Sequence, residues 1–82
     1  MNTITRINSH KKWVEVDYID GTCVAMYHGH AIAIFMPRMG AWVRPLERSE
    51  YWTASQIISC WGATRHNVTK AQFDAQIERL KQ

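Results

Sequence analysis

Three turn signals in the stretch Lys12–Pro45 constrain the fold of this chain more than any other feature of its sequence. They separate apolar runs that are each about as long as a β-strand. Asp20-Gly21 and His28-Gly29 are two-residue pairs that end in glycine, and Pro37–Gly40 is a four-residue Pro/Gly turn. Glycine supplies the positive φ that tight turns need, so such pairs between apolar runs are a strong local signal for hairpins. The stretch therefore predicts a four-stranded antiparallel meander over about residues 12–46.

The length of each turn predicts which residues face one another, because a one-residue change of register moves every side chain of a strand to the other face. The three turns predict these opposed pairs: Val16 with Ala25, Ala25 with Ile32, Phe35 with Trp42, and Ile34 with Val43. The resulting first face is the predicted core and is mostly apolar: Val14, Val16, Tyr18, Cys23, Ala25, Tyr27, Ile32, Ile34 and Val43.

The opposite face, which we call the second face, has polar outer strands and an apolar middle. Glu15, Asp17 and Arg44 suit an antiparallel sheet with one side in water. The apolar middle comprises Val24, Met26, Ala31, Ala33, Phe35 and Trp42. An apolar patch of this kind marks a surface that is covered or that binds a partner. We expect the cover to be the N-terminal segment, a symmetric copy or a foreign protein.

Two helices are predicted after the sheet, over about residues 53–61 and 69–81. Each opens with a Thr-x-x-Gln sequence, the spacing of a capping box. Their apolar side chains Ile57, Trp61, Phe73 and Ile77 are expected to contact Val16, Ala25, Ile32 or Ile34. The predicted fold is a single domain, residues 1–82, of the α+β class: the four-stranded antiparallel meander followed by two C-terminal helices packed on one face.

The flanking segments give weaker signals. Residues 1–10 alternate weakly and are expected either to add a short edge strand or to lie against the sheet. Residues 63–68 are mostly polar and are expected to form a loop.

Charge, cysteine content and hydropathy restrict the compartment. The net charge is +3, and the ten Lys and Arg residues are scattered, so an anionic partner is permitted but not required. The two cysteines, Cys23 and Cys60, are fewer than a disulfide-stabilised domain of this size carries, which favours a reducing cytoplasm. The N-terminus shows no signal-peptide pattern, and no segment reaches the ~20 apolar residues of a membrane span.

Candidate chemistry is sparse. His28 and His30 stand two residues apart but lack further ligands at metal spacing, so we interpret His28 as a turn residue and His30 as a strand residue at the sheet rim. Cys60 with His66, and the carboxylates Glu15 and Asp17, have no third group or motif beside them. The sequence predicts no catalytic residue, no metal and no cofactor.

The aromatic side chains of the second face are the feature that the predicted core does not account for. The second face combines aromatic rings with nearby cations, a pattern used both at protein–protein hot spots and in stacking of single-stranded nucleic acid. A third interpretation is a minor core beneath the N-terminal segment. The predicted interaction surface is Trp13, Met26, Phe35, Trp42 and Arg44.

One family resemblance follows from the middle of the chain. His30-Ala-Ile-Ala-Ile-Phe, the Pro/Gly turn, Gly40-Ala-Trp-Val and Tyr51-Trp-Thr-x-x-Gln-Ile resemble small accessory proteins of tailed bacteriophages, over residues 30–58. The C-terminal helix predicted here is longer than the endings of such proteins. The resemblance implies the cytoplasm of a bacterial host and a small domain that binds and disables a host protein, and it transfers no functional residue.

Two functional hypotheses result. The first is a non-enzymatic phage accessory protein that binds a host protein stoichiometrically, as a host-takeover or counter-defence inhibitor of the anti-CRISPR type, with self-association as a further use of the same surface. The alternative is a small nucleic-acid-binding module that uses the aromatic and basic sheet face. Neither hypothesis involves a membrane.

Overall fold

The computed structural model describes residues 3–47 and 64–81. The elements are β1 (Ile4–His10), β2 (Trp13–Tyr18), β3 (Cys23–Tyr27), β4 (His30–Met36), β5 (Ala41–Pro45), β6 (Thr64–Val68) and α1 (Lys70–Lys81). The strands form one six-stranded sheet in chain order. Strands β1 to β5 pair antiparallel, and β6 pairs parallel to β5.

The predicted fold class is wrong. The sheet is mixed and has six strands where a four-stranded meander was predicted, and the described part of the chain contains one helix, so the protein is mostly β. The four predicted strands exist as β2 to β5, flanked by one further strand on each side. The predicted helix over residues 53–61 lies outside the described residues.

The N-terminal segment adds a strand to the sheet, one of the two alternatives expected for it. A two-residue turn, Lys11-Lys12, joins β1 to β2 and sets His10 opposite Trp13. Lys11 carries the positive φ of this turn, 58°, without the help of a glycine. That is why the sequence pattern did not reveal the hairpin.

The segment predicted as a polar loop is the strand β6. Its register sets Trp42 opposite Arg65 and Pro45 opposite Val68, and the Leu46 amide donates to the Val68 carbonyl at 2.7 Å. Parallel neighbours must be well separated in sequence, and β5 ends at Pro45 while β6 begins at Thr64. Parallel pairing at a distance in sequence leaves no hairpin turn to recognise.

Register is correct at one predicted turn and wrong at another. The Pro37–Gly40 turn sets Phe35 opposite Trp42 and Ile34 opposite Val43, as predicted. The Asp20-Gly21 turn is one residue longer than predicted, because the Asp20 carboxylate accepts the Thr22 amide at 2.9 Å and the Tyr18 amide donates to the Thr22 carbonyl at 2.8 Å. This three-residue loop shifts β3 by one position against β2.

A second shift occurs between β3 and β4. The His28-Gly29 turn forms as predicted, with φ of 53° and 78°. The register then slips between Ala25 and Met26, which leaves Ile32 unopposed in β4 and sets Ala25 opposite Ala33. Such a bulge reverses the faces of the residues beyond it.

Both shifts exchange residues between the two faces. Cys23, Ala25, Tyr27 and Ile32 were predicted on the first face but pack with Trp13 and Trp42 on the second face. Val24, Met26 and Ala31 were predicted on the second face but pack with Ile34 on the first. The predicted helix contacts are therefore right for Phe73 with Ile34 and wrong for Ala25 and Ile32.

The helix α1 is fixed by its cap and by one buried ring. The predicted capping box forms: Gln72 Oε1 accepts the Thr69 amide at 3.0 Å, and Thr69 Oγ1 accepts the Gln72 amide at 3.2 Å. Phe73 is 3% exposed and packs against Val24 and Ile34 on the first face. The helix therefore continues directly from β6 onto the sheet.

Candidate interaction surface

The structure separates the five residues predicted as an interaction surface. Trp13, Phe35, Trp42 and Arg44 lie on the second face, whereas Met26 lies on the first face with the cluster around Phe73. Trp13 is 9% exposed and Trp42 is 6% exposed. The indoles therefore contribute to a second core cluster and do not stand open to solvent.

The aromatic groups of the second face are held by specific contacts. The rings of Phe35 and Trp42 meet edge to face, with centroids 5.6 Å apart. The Trp13 indole Nε1 donates to the Glu15 carboxylate at 2.9 Å. Edge-to-face packing and a bonded indole N–H are typical of buried aromatic residues. The N-terminal strand β1 extends the sheet at its edge, so the N-terminal cover expected for this face is not what β1 provides.

Charges of both signs lie on the second face. Arg44 Nε donates to Asn67 Oδ1 at 3.0 Å, and Arg44 and Asn67 are opposed across β5 and β6. Burial and the neighbouring Arg65 lower the pKa of Arg44. Glu15 and Asp17 lie on the same face of β2, so this face does not form a uniformly basic strip.

Nucleophile and metal chemistry find no support in the described residues. Burial raises the pKa of the Cys23 thiol to about 12, helped by a hydrogen bond and charge from Asp17, so the thiol stays protonated at neutral pH. Within residues 3–47 and 64–81, no group of three or more His, Cys, Asp and Glu could hold a metal. Cys60, considered beside His66, lies outside the described residues.

A cleft of about 670 Å³ opens where the β2–β3 loop, the β4–β5 turn and α1 meet. Its apolar wall includes Ile34, Met36 and Leu80, and its charged groups are Asp20, Arg38 and Arg79. The Thr22 backbone amide lowers the pKa of the Asp20 carboxyl, which is therefore ionised at neutral pH. Opposite charges on one rim give the cleft no clear preference for a cation or an anion.

The most open element in the described part of the chain is β1, which the sequence pattern had not singled out. All seven of its residues are exposed. Ile7 is 62% exposed and Ile4 is 49% exposed, and both lie on the side of the sheet that carries α1. β1 lies at one end of the strand order, so among residues 3–47 and 64–81 no strand pairs with its outer side.

The direction of the backbone groups of β1 follows from one hydrogen bond. The His28 amide donates to the Lys12 carbonyl at 3.1 Å, so the backbone amide and carbonyl of Lys12 point towards β3. In antiparallel strands these backbone groups alternate in direction from one residue to the next. Those of Trp13 therefore point towards β1, and those of its partner His10 point towards β2. The same alternation turns the amide and carbonyl groups of Ile7 and Ser9 outward, away from the sheet.

Edge protection on β1 is concentrated at its start. The register with β2 shifts between Ile4 and Arg6, and Thr5 Oγ1 donates to the Asp17 carbonyl at 3.3 Å at this bulge. Bulges and charged side chains such as Arg6 are devices that discourage indiscriminate edge pairing. From Arg6 to His10 the strand is regular, and no proline interrupts it.

Comparisons of the chain with protein-family models, with curated proteins and with solved structures find no match. No helix in residues 3–47 and 64–81 is long and apolar enough to cross a membrane.

Proposed function

We propose that this protein is a non-enzymatic binding module that takes up an extended strand of a protein partner at β1, one partner per chain. The observation that carries the proposal is the wholly exposed antiparallel edge strand, whose outer backbone groups belong to Ile7 and Ser9. An added strand would form hydrogen bonds with these two amides and two carbonyls.

Side chains on β1 would provide selectivity in addition to the backbone bonds. Ile7 and Ile4 present apolar surface that an added strand would bury on the side of α1. Arg6 and Asn8 alternate onto the second face, where a partner strand would meet a cation and an amide. The partner strand is therefore expected to alternate apolar residues with acidic or polar ones.

The biological setting we propose is a phage accessory protein that acts on a host protein. This part of the proposal is based on the resemblance over residues 30–58, of which residues 48–58 lie outside the described part of the chain. The fold adds the docking edge to that proposal but gives no indication of the target.

The alternative of nucleic-acid binding has less support. Base stacking requires open aromatic ring faces, and the two indoles of the second face are buried. Glu15 and Asp17 also place two carboxylates beside the aromatic cluster, which disfavours a phosphate backbone.

Capture from bacterial lysate tests the proposal when matched variants are compared. Ile7→Lys and Ser9→Pro change the docking edge, while Ile19→Lys changes an equally exposed isoleucine, 66% exposed, in the β2–β3 loop. We expect a protein to be retained in equimolar amount by the unchanged chain and by Ile19→Lys, and to be lost from both edge variants. Mass spectrometry identifies the protein, and circular dichroism checks that each variant is folded.

Three outcomes would contradict the proposal. Equal retention by both edge variants would place binding elsewhere, and failure of every chain to retain a protein would argue against a protein partner. Retention of nucleic acid, with affinity that falls steeply as salt rises, would favour the alternative.

A further inference from the structure

We infer that, in the absence of a partner, β1 pairs antiparallel with β1 of a second copy of this chain, with Ile7 of both copies on the two-fold axis. This inference rests on the docking edge assigned in the proposed function and names a second occupant for it. It requires only residues of β1, all of which are exposed.

The outward backbone groups restrict the register. Only residues whose amide and carbonyl point outward can form hydrogen-bonded pairs with another strand, and in the regular part of β1 these are Ile7 and Ser9. A two-fold axis can therefore pass through Ile7, which pairs Ile7 with its own copy. Alternatively it passes through Asn8, which pairs Ile7 with Ser9 of the other copy.

Side-chain chemistry favours the axis at Ile7. That register sets the exposed Ile7 against its counterpart, so two apolar side chains leave water together. It also sets Arg6 against Asn8, a cation beside a neutral amide. The axis at Asn8 would set Ile7 against Ser9, which leaves the isoleucine of each copy against a hydroxyl.

The geometry permits a continuous sheet. Residues directly opposed across antiparallel strands share a face, so Ile7 of each copy stays on the side that carries α1. Both helices then lie on the same side of the joined sheet, and neither occupies the edge where the copies meet. The second faces, with Trp13 and Trp42, also join on one side.

The dimer should be weak and reversible. One strand pair with two isoleucines per copy buries less than the roughly 1,200 Å² at the lower limit of a standard interface. A weak dimer would protect the edge of β1 from unspecific pairing with other strands. A partner with a longer or better matched strand could still displace the second copy.

Disulfide cross-linking of the purified chain tests the register. In a background with Cys23→Ala and Cys60→Ala, Ile7→Cys and Asn8→Cys each provide one thiol on the exposed strand. With the axis at Ile7, the Cα atoms of position 7 in the two copies lie about 5.5 Å apart, within the range a disulfide can bridge. The Cα atoms of position 8 in the two copies are then diagonal neighbours, roughly 7–8 Å apart and too distant for a disulfide.

We expect the Ile7→Cys variant to form a covalent dimer under mild oxidation at least tenfold faster than Asn8→Cys. Analytical ultracentrifugation of the unchanged chain should show a concentration-dependent dimer, which Ile7→Lys abolishes because it places two cations opposite each other on the axis. Faster cross-linking of Asn8→Cys, equal rates for both, or a strictly monomeric chain at millimolar concentration would each overturn the inference. Because these measurements contain no other protein, their failure leaves the lysate experiment unaffected, and a partner captured by a monomeric chain would separate the two results.

Discussion

The two edges of the sheet differ in how they are attached to the rest of the molecule. β6 is parallel to its neighbour, is held at its end by the bond from Leu46 to Val68, and continues into α1, whose Phe73 is buried over the sheet. Within the described part of the chain, β1 is attached by a two-residue turn and by its pairing with β2, and all of its side chains are exposed.

This difference indicates which edge is structural and which is open for binding. On β6, Arg65, His66 and Asn67 are exposed, and Val68 packs into the cluster around Phe73. β1 offers exposed isoleucines and a regular run of five residues. Displacing β6 would disturb the packing of α1, whereas adding a strand to β1 disturbs nothing in the core. Binding at β1 is therefore compatible with an unchanged fold.

The largest effect should come from breaking the attachment of the β6 edge. Phe73→Ala is expected to lower the free energy of unfolding by about 3–5 kcal/mol, because a 3% exposed ring is replaced by a cavity between α1 and the sheet. Chemical denaturation measures the change. The neighbouring Asp74→Ala serves as control and should cost less than about 0.5 kcal/mol, since its ion pair with Lys70 is exposed. Equal effects in both variants would mean that Phe73 does not anchor the helix.

A smaller effect should distinguish the two sides of β1. Asn8→Pro removes an amide that bonds to β2, and we expect a loss of about 1–3 kcal/mol. Ser9→Pro removes an outward amide and should change stability by less than about 0.5 kcal/mol while it abolishes strand addition. Thermal unfolding with a binding assay measures both. If Ser9→Pro were the more destabilising of the two, the assignment of the outward groups would be wrong.

A comparison of two threonines should give a still smaller difference. Thr69→Ala removes the cap at the start of α1 and should cost about 1 kcal/mol. Thr5→Ala removes a 3.3 Å bond at the exposed bulge of β1 and should change stability by less than about 0.5 kcal/mol. The denaturation midpoints of the two variants provide the test. A greater loss at Thr5 would show that the start of β1 is anchored more firmly than its exposure suggests.

The last predicted effect is a loss of stability at high pH, which is absent at neutral pH. It depends on Cys23, which lies on β3 between the two edges of the sheet. The pKa of the Cys23 thiol is raised in the folded state to about 12 from an ordinary value of 9.0, chiefly by burial. A raised pKa gives stability that is complete below pH 9 and is lost as the pH rises towards 12. Relative to Cys23→Ala, the unchanged chain should therefore lose stability over this window, as measured by the urea midpoint. Parallel pH profiles for the two proteins would contradict the burial of the thiol.

The parts of the fold that follow local chemistry could be predicted from the sequence. The Pro37–Gly40 turn gave the correct register between β4 and β5, because proline and glycine fix the backbone there. The capping box at Thr69 gave the start of α1. In both places, the determining interactions lie within a few residues of each other.

The predictions that were wrong concern parts of the fold that depend on interactions that the sequence pattern does not reveal. The Asp20 side chain lengthens one loop by a residue, and the bulge at Ile32 has no glycine or proline to mark it. β6 pairs with a strand distant in sequence, so its polar residues resemble a loop. These three features reassigned the faces and buried the tryptophans of the predicted surface, and they left β1 as the candidate site.

Amide hydrogen exchange along β1 tests the central claim most directly. In the dilute free chain, the amides of Ile7 and Ser9 should exchange nearly as fast as in an unstructured peptide, while those of Arg6, Asn8 and His10 are slowed by their bonds to β2. When the captured partner is added, the amides of Ile7 and Ser9 should become protected, and raising the chain concentration should protect that of Ile7. The amides of Arg6, Asn8 and His10 should change little in both cases. Protection of Ile7 and Ser9 in the dilute chain, or fast exchange at both when the partner is bound, would contradict the assignment of β1 as the docking edge.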